Sequence, residues 1–280
     1  MKVAIVGGTG KMAWWFANFL KEQGKDVLVI GRSEHKLEEA KKQFGVETSN
    51  DLAAVKSADA VVISVTIDNF ESVVKELKPH VRPGQIVVDV TSVKAAPVAA
   101  MHRHLKTASV LGTHPVFGPG ATDITNKNFV LTPTNEKENE LAGRVKQFLE
   151  TSGANVAIMT PGEHDEMMAV VLGLDHFVGL VAAETLVNFG KLKTMADIGG
   201  GSYKLLLTLA ESVVSEDAEF YASLQMNMPG ATKIEETFGK NAQLWVDIIK
   251  NKDRAGFVKK MTALKNTLER NAPNFRKAYE

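Results

Sequence analysis

The segment Met1-Lys2-Val3-Ala4-Ile5-Val6-Gly7-Gly8-Thr9-Gly10-Lys11-Met12-Ala13 decides how this chain folds. A run of buried-strand type enters a glycine turn, and a helical pattern follows at once. Gly8 lets the chain turn tightly, Gly10 leaves room for a phosphate near the backbone, and Ala13 takes the small-residue position at the helix–strand contact. The first N–H groups of that helix have no internal partner and lie at its positive end, so an anion is favoured there. Gly8, Thr9, Gly10, Lys11 and Met12 are the expected cradle of a dinucleotide pyrophosphate.

The next apolar run, 26–30, ends in Gly31-Arg32-Ser33, where NAD-preferring folds usually carry an acidic side chain for the ribose 2′-hydroxyl. A carboxylate would repel a 2′-phosphate; the Arg32 guanidinium and Ser33 hydroxyl would hold one through charge-assisted bonds. NADP is the expected cofactor, with NAD second. Ser64, Val65 and Thr66, at the end of the run 60–65, would line the same cofactor.

Short apolar runs at 60–65, 86–90, 110–112, 129–132 and 155–159 alternate with one-faced helical patterns at 11–23, 34–44, 69–77 and 141–150. Such alternation predicts parallel strands with crossover helices. Past Thr160 only helical periodicity remains. Thr160-Pro161-Gly162-Glu163 combines an N-cap, a first-turn proline and a capping-box glutamate, which marks a firm helix start. That helix is expected to run to about 189, with further helices at 202–214, 216–225, 231–250 and 253–269 after a break at Gly199-Gly200-Gly201. The expected fold is α/β: a Rossmann-like doubly wound sheet over 1–159, then an all-helical domain over 160–280. Gly173 and Gly179 on the long helix would let another backbone approach closely, and a homodimer interlocked through these helices is the sharper expectation.

Composition narrows the function classes. Thirty-three basic and 33 acidic residues leave no net charge, which argues against a nucleic-acid or anionic-membrane partner. The absence of cysteine removes disulfides, thiolate catalysis and cysteine-ligated zinc. No metal site is expected, because His102 and His104 flanking Arg103 read as a solvated helix face. Residues 167–187 are apolar enough to span a bilayer, yet Asp175, His176 and Glu184 are costly in lipid, so a buried helix of a soluble core is expected. The first strand breaks at Gly7 without a signal-peptide pattern, which points to a cytoplasmic enzyme.

In an open parallel sheet, ligands bind beyond the carboxyl ends of the strands. Two polar loops fall there: Asp89-Val90-Thr91-Ser92-Val93-Lys94, and Gly112-Thr113-His114-Pro115-Val116-Phe117-Gly118-Pro119-Gly120. An imidazole at such a place suits acid–base work near neutral pH. Together with Glu163-His164-Asp165, Leu174-Asp175-His176-Phe177 and Tyr221-Ala222-Ser223-Leu224-Gln225-Met226, these loops resemble the prephenate/arogenate dehydrogenase family of tyrosine biosynthesis over nearly the whole chain.

The resemblance implies oxidative decarboxylation of a small cyclohexadienyl acid. It assigns His114 to accept a hydrogen bond from the ring hydroxyl and Ser92 to orient histidine and substrate. Lys94 would lie near the substrate carboxylates, and His176 would face the cleft. One position departs from the family: Ser212 stands where a carboxylate-binding arginine is usual, and serine supplies neither the charge nor the fork. Lys204, two helical turns earlier, is a candidate replacement. Prephenate ranks ahead of arogenate on the remaining motifs. His164 reads as part of a helix cap. Two rival readings stand beside this one. The glycine and basic turns also look like those of a coenzyme F420-dependent NADP reductase, and a nucleotide-sensing dimer without turnover would share the fold.

Overall fold

A computed structural model describes residues 1–271. Strands β1 (Lys2–Val6), β2 (Asp26–Ile30), β3 (Glu47–Ser49), β4 (Ala60–Ile63), β5 (Ile86–Asp89), β6 (Ser109–Pro115), β7 (Asn128–Thr132) and β8 (Asn155–Ile158) make one sheet in the order β3-β2-β1-β4-β5-β6-β7-β8. The first six in that order are parallel, the arrangement of a doubly wound dinucleotide fold. β7 departs from the expected parallel sheet by running antiparallel to β6. A parallel neighbour needs a crossover, usually a helix, and the link from Val116 to Lys127 contains none.

Alternate strand residues point to opposite faces. Val3, Ile5, Val27 and Val29 pack with Phe16 and Phe19 of α1 (Lys11–Glu22) and with Leu141 and Leu149 of α5 (Glu136–Thr151). Ala4, Val6, Leu28 and Ile30 pack on the other face with Phe70 and Leu77 of α3 (Ile67–Leu77) and Met101 of α4 (Ala95–His104). Helix α2 (Glu34–Phe44) follows β2 and ends at Gly45, whose φ of 61° suits the left-handed cap.

Beyond Thr160 the structure is helical: α6 (Pro161–Met168), α7 (Asp175–Phe189), α8 (Leu192–Ile198), α9 (Gly201–Val214), α10 (Ala218–Asn227), α11 (Ala231–Lys250) and α12 (Arg254–Asn271). The capping box at Thr160 and Glu163 forms as the sequence predicts. The expected single helix to 189 is interrupted by a π-helical turn at Ala169–Leu174, where the Gly173 carbonyl accepts a bond from Gln225 Nε2 at 3.1 Å. Two compact units are present, Met1–Ala231 and the chain from Thr232 onward.

Two expectations for the long helix are corrected. Gly173 and Gly179 serve contacts within the chain: a Cβ at Gly179 would lie 2.6 Å from Val213 Cγ2 on α9, and one at Gly173 would lie 3.1 Å from the Ala231 Cβ. Nor is the helix buried by its own chain. Only 17% of its most apolar window is buried, and Val181, Val187 and Phe189 stay exposed.

Candidate active site

The turn after β1 carries the geometry of an anion cradle. The left-handed residue of this turn is Gly7, with φ of 79°. Gly8 is required for contact instead: a Cβ there would come within 2.3 Å of Val29 Cγ1. At Gly10 an added Cβ meets nothing closer than the Gly7 carbonyl at 3.7 Å, so the space above it is open to a ligand. Helix α1 starts at Gly10 without a side-chain cap and with no acid in its first turn, leaving its N–H groups for an anion. Thr9 and Met12 are half-buried beside the turn, and the exposed Lys11 lies 3.5 Å from Glu216.

Arg32 stands exposed just beyond β2, in no ion pair among the described residues, and no acid occupies the end of that strand. Ser33 caps α2 by accepting the Lys36 N–H at 3.4 Å, and its own hydroxyl hydrogen remains free to donate. Ser64 and Val65 are half-buried after β4; Thr66 opens α3 and accepts a bond from Asn69. These residues suit a dinucleotide.

A polar knot lies at the ends of β5 and β6. Asp89, fully buried, takes an ion pair from Lys94, the Thr91 N–H at 3.0 Å and the Thr113 N–H at 3.2 Å. The Lys94 ammonium also bonds the Thr113 carbonyl and lies 3.2 Å from Thr91 Oγ1. Lys94 is 0% exposed, which overturns its expected place against substrate carboxylates: its charge is spent tying β5 to β6. Burial pulls its ammonium below the usual lysine range, and Asp89 opposes that pull.

The residue after Thr113 is His114. It lies in β6 opposite Val130 of β7, not in a loop, because the strand runs on to Pro115. Only 3% of it is exposed. Its Nδ1 is 2.8 Å from Nε2 of His164, whose Nδ1 is 2.8 Å from Oδ1 of Asp165. Asp165 in turn accepts the N–H groups of Lys94 at 2.6 Å and Ala95 at 2.9 Å, capping α4 from the first turns of α6. Burial, then Lys94, then His164 hold His114 well below the ordinary imidazole pKa, so the ring is neutral. Burial pushes the Asp165 carboxyl upward, but the bonds from His164, Ala95 and Lys94 outweigh it and keep it ionised. No hydrogen bond to His114 Nε2 is made within the described residues, and that nitrogen is the reactive one on offer.

His164 and Asp165 were missed as site residues, His164 having been read as a helix cap. A His-Asp pair straight after a capping box was the available signal. Ser92 is half-buried on the β5–α4 turn, and no hydrogen bond links it to His114 among the described residues. His176, at the start of α7, packs its ring 4.6 Å from that of Tyr221 and has a buried Nδ1 without a partner among the described residues. Burial lowers its pKa against the pull of Asp175. On α9, Lys204 is exposed, and the exposed Ser212 hydroxyl donates to the Leu209 carbonyl at 2.8 Å. His102 and His104 are held separately by Glu138 and Glu71.

Comparison with known proteins now decides the lineage. Residues 16–165 match the nucleotide-binding domain of prephenate dehydrogenase, and residues 160–263 match its dimerization domain. The chain belongs to the prephenate dehydrogenase family. These are NAD(P)-dependent oxidoreductases. A probable arogenate/prephenate dehydrogenase of Methanocaldococcus jannaschii is 37% identical over 265 residues, covering 93% of this chain and 59% of that protein. The chain thus spans about six tenths of the length of two curated relatives it matches, 59% and 64%. A prephenate dehydrogenase from A. aeolicus, solved in complex with hydroxyphenyl propionate and NAD+, has the same fold, with a TM-score of 0.79 at 24% identity over 96% of this chain and 98% of that one. An F420-dependent NADP reductase of M. jannaschii is 33% identical over 101 residues, only 32% of this chain.

Proposed function

We propose that this protein catalyses the NADP-dependent oxidative decarboxylation of a cyclohexadienyl acid, prephenate or arogenate, in the cytoplasm and as a homodimer. The observation that carries this reading is the buried, neutral His114, whose Nε2 has no partner among the described residues and lies at the carboxyl edge of a dinucleotide sheet. The bound nicotinamide would supply the two-electron acceptor.

His114 Nε2 accepts the hydrogen bond of the ring hydroxyl and draws electron density onto that oxygen as hydride leaves its carbon. The bond from ring to carboxylate breaks, its electron pair enters the ring, and carbon dioxide departs. The hydroxyl keeps its proton in the net reaction, so His114 shares a proton transiently. Ser92 borders this site, while Gly8 to Met12, Arg32, Ser33 and Ser64 to Thr66 hold the cofactor.

Substrate choice turns on charge. With Lys94 closed off and Ser212 bonded to its own helix, Lys204 is the remaining candidate for a second carboxylate. Prephenate brings two carboxylates, whereas the ammonium of arogenate neutralises its own side-chain carboxylate. This favours arogenate more than the motifs alone do. Exposed Val187, Phe189, Ile198 and Leu205 support a second copy covering α7 to α9, through contacts other than the two glycines.

The test is to supply the protein with NADP or NAD and either substrate, following reduced cofactor and carbon dioxide. Turnover of arogenate or prephenate supports the reading. Failure with both substrates and both nicotinamides, or reduction of NADP by reduced deazaflavin, sinks it.

A further inference from the structure

Donors and acceptors along Asp165–His164–His114 admit one assignment with both rings neutral. A carboxylate can only accept, so His164 Nδ1 carries the hydrogen toward Asp165. The Nε2 of a neutral His164 is then a lone pair, and the contact to His114 closes only if His114 Nδ1 donates. That leaves the lone pair of His114 on Nε2. The anchor is rigid, because Asp165 Oδ1 also takes the Lys94 N–H and Oδ2 takes the Ala95 N–H.

We infer that His164 and Asp165 are positioning residues that hold His114 in the tautomer able to accept a hydrogen bond at Nε2. The chemical use of that lone pair rests on the proposed dehydrogenase reading; the tautomer itself does not. The pairing of His114 with Val130 holds its backbone in β6, and the relay sets its proton placement. The charged groups around the relay are Lys94 and Asp89, which are paired with each other and offer His164 no competing acceptor.

Asp165→Asn changes this logic at constant volume. An amide has one acceptor oxygen where the carboxylate had two, and the Lys94 and Ala95 N–H groups, which lie on different carboxylate oxygens, compete for it. With that oxygen toward Lys94 the native bond from His164 Nδ1 survives; with it toward Ala95 the amide N–H faces His164 Nδ1, which must then become an acceptor. In the second arrangement His164 Nε2 becomes a donor, His114 Nδ1 accepts, and His114 Nε2 acquires the hydrogen.

The experiment reads ring-nitrogen shifts of 15N-labelled histidine in the NADP-loaded protein, alongside turnover. Native protein should show His114 with hydrogen on Nδ1; Asp165→Asn, which no longer enforces that placement, should shift part of it to Nε2. Turnover should fall by about a hundredfold or more, as when an orienting carboxylate is replaced in other histidine relays, while NADP affinity stays within about threefold. His164→Leu should lose comparable turnover. His164→Gln, whose amide oxygen can accept from His114 Nδ1, should restore activity to within about tenfold of native. An unchanged His114 tautomer in Asp165→Asn, or equal turnover in His164→Gln and His164→Leu, would overturn the relay. If the tautomer moves as expected but native protein oxidises neither substrate, the relay stands and the dehydrogenase reading fails.

Discussion

The ends of β5 and β6 and the rims of the cofactor and helical regions are built on opposite plans. In the knot of Asp89, Lys94, Thr113, His114, His164 and Asp165, nearly every polar atom is consumed by a neighbour. At the rims, Arg32 and Lys204 stand exposed without an ion pair among the described residues, and His176 Nδ1 and the Tyr203 hydroxyl are buried without a partner. The knot holds groups in place before any ligand arrives; the rims keep bonding capacity for one. Changes in the knot should therefore register in unfolding or in turnover, and changes at the rims in binding.

The strongest way to break this contrast is Lys94→Met. Removing one partner strands the Asp89 charge in the core, and about 3–5 kcal/mol of stability should be lost, read from urea unfolding. If the variant instead folds normally and shows only a raised KM, Lys94 belongs with the rim. Next comes His114→Asn, which should cut kcat by about a hundredfold or more while NADP binding, followed by cofactor fluorescence, is nearly unchanged. Full activity in that protein would move the chemistry elsewhere. At the cofactor rim, Arg32→Ala should weaken NADP by about 1.5–3 kcal/mol, leaving NAD binding and the unfolding midpoint where they were. Equal NAD and NADP affinities in the native protein would remove Arg32 from the 2′-phosphate.

Titration sharpens the same contrast. Burial, reinforced at His114 by Lys94 and His164, holds His114 and His176 below the ordinary imidazole value, Asp175 opposing at His176. Unfolded, each histidine binds a proton from about pH 6.5 downward; folded, each refuses it until lower pH. Their stabilisation is complete above that point and is lost as pH falls, by at most about 1.4 kcal/mol per pH unit for each. Urea midpoints from neutral to mildly acidic pH should fall accordingly, and His114→Asn should remove one share of the slope. The smallest effect is expected from Ser212→Arg, which should lower KM for prephenate by about tenfold or less and leave arogenate little changed. An equal gain for both substrates would show that this helix position does not read side-chain charge.

Local chemistry made much of this legible from sequence. The strand–glycine–helix opening, the alternation of runs and the capping box at Thr160 depend on neighbours within a few residues, and each stands in the structure. His114 was singled out as well, although Pro115 made a strand end look like a loop. Proline is tolerated there because it closes the strand, opposite Phe129. What stayed hidden depends on distant partners. Lys94 looks like a free cation until β6 brings the Thr113 carbonyl to it. His164 sits 50 residues from His114, and the capping box beside it offered a sufficient local reason for its neighbourhood. Gly173 and Gly179 were equally ambiguous, since a small residue announces a close contact without saying whose.

The carboxylate of Asp165 has a mechanical side as well. It belongs to α6, yet it closes the open end of α4, so two helices from different parts of the chain share one latch. Any breathing that lifts α6 away uncaps α4 and unhooks the histidine pair in the same movement. A motion that keeps both caps in place has to pivot beyond the latch, and the π turn at Ala169–Leu174 is the next departure from regular helix along the chain.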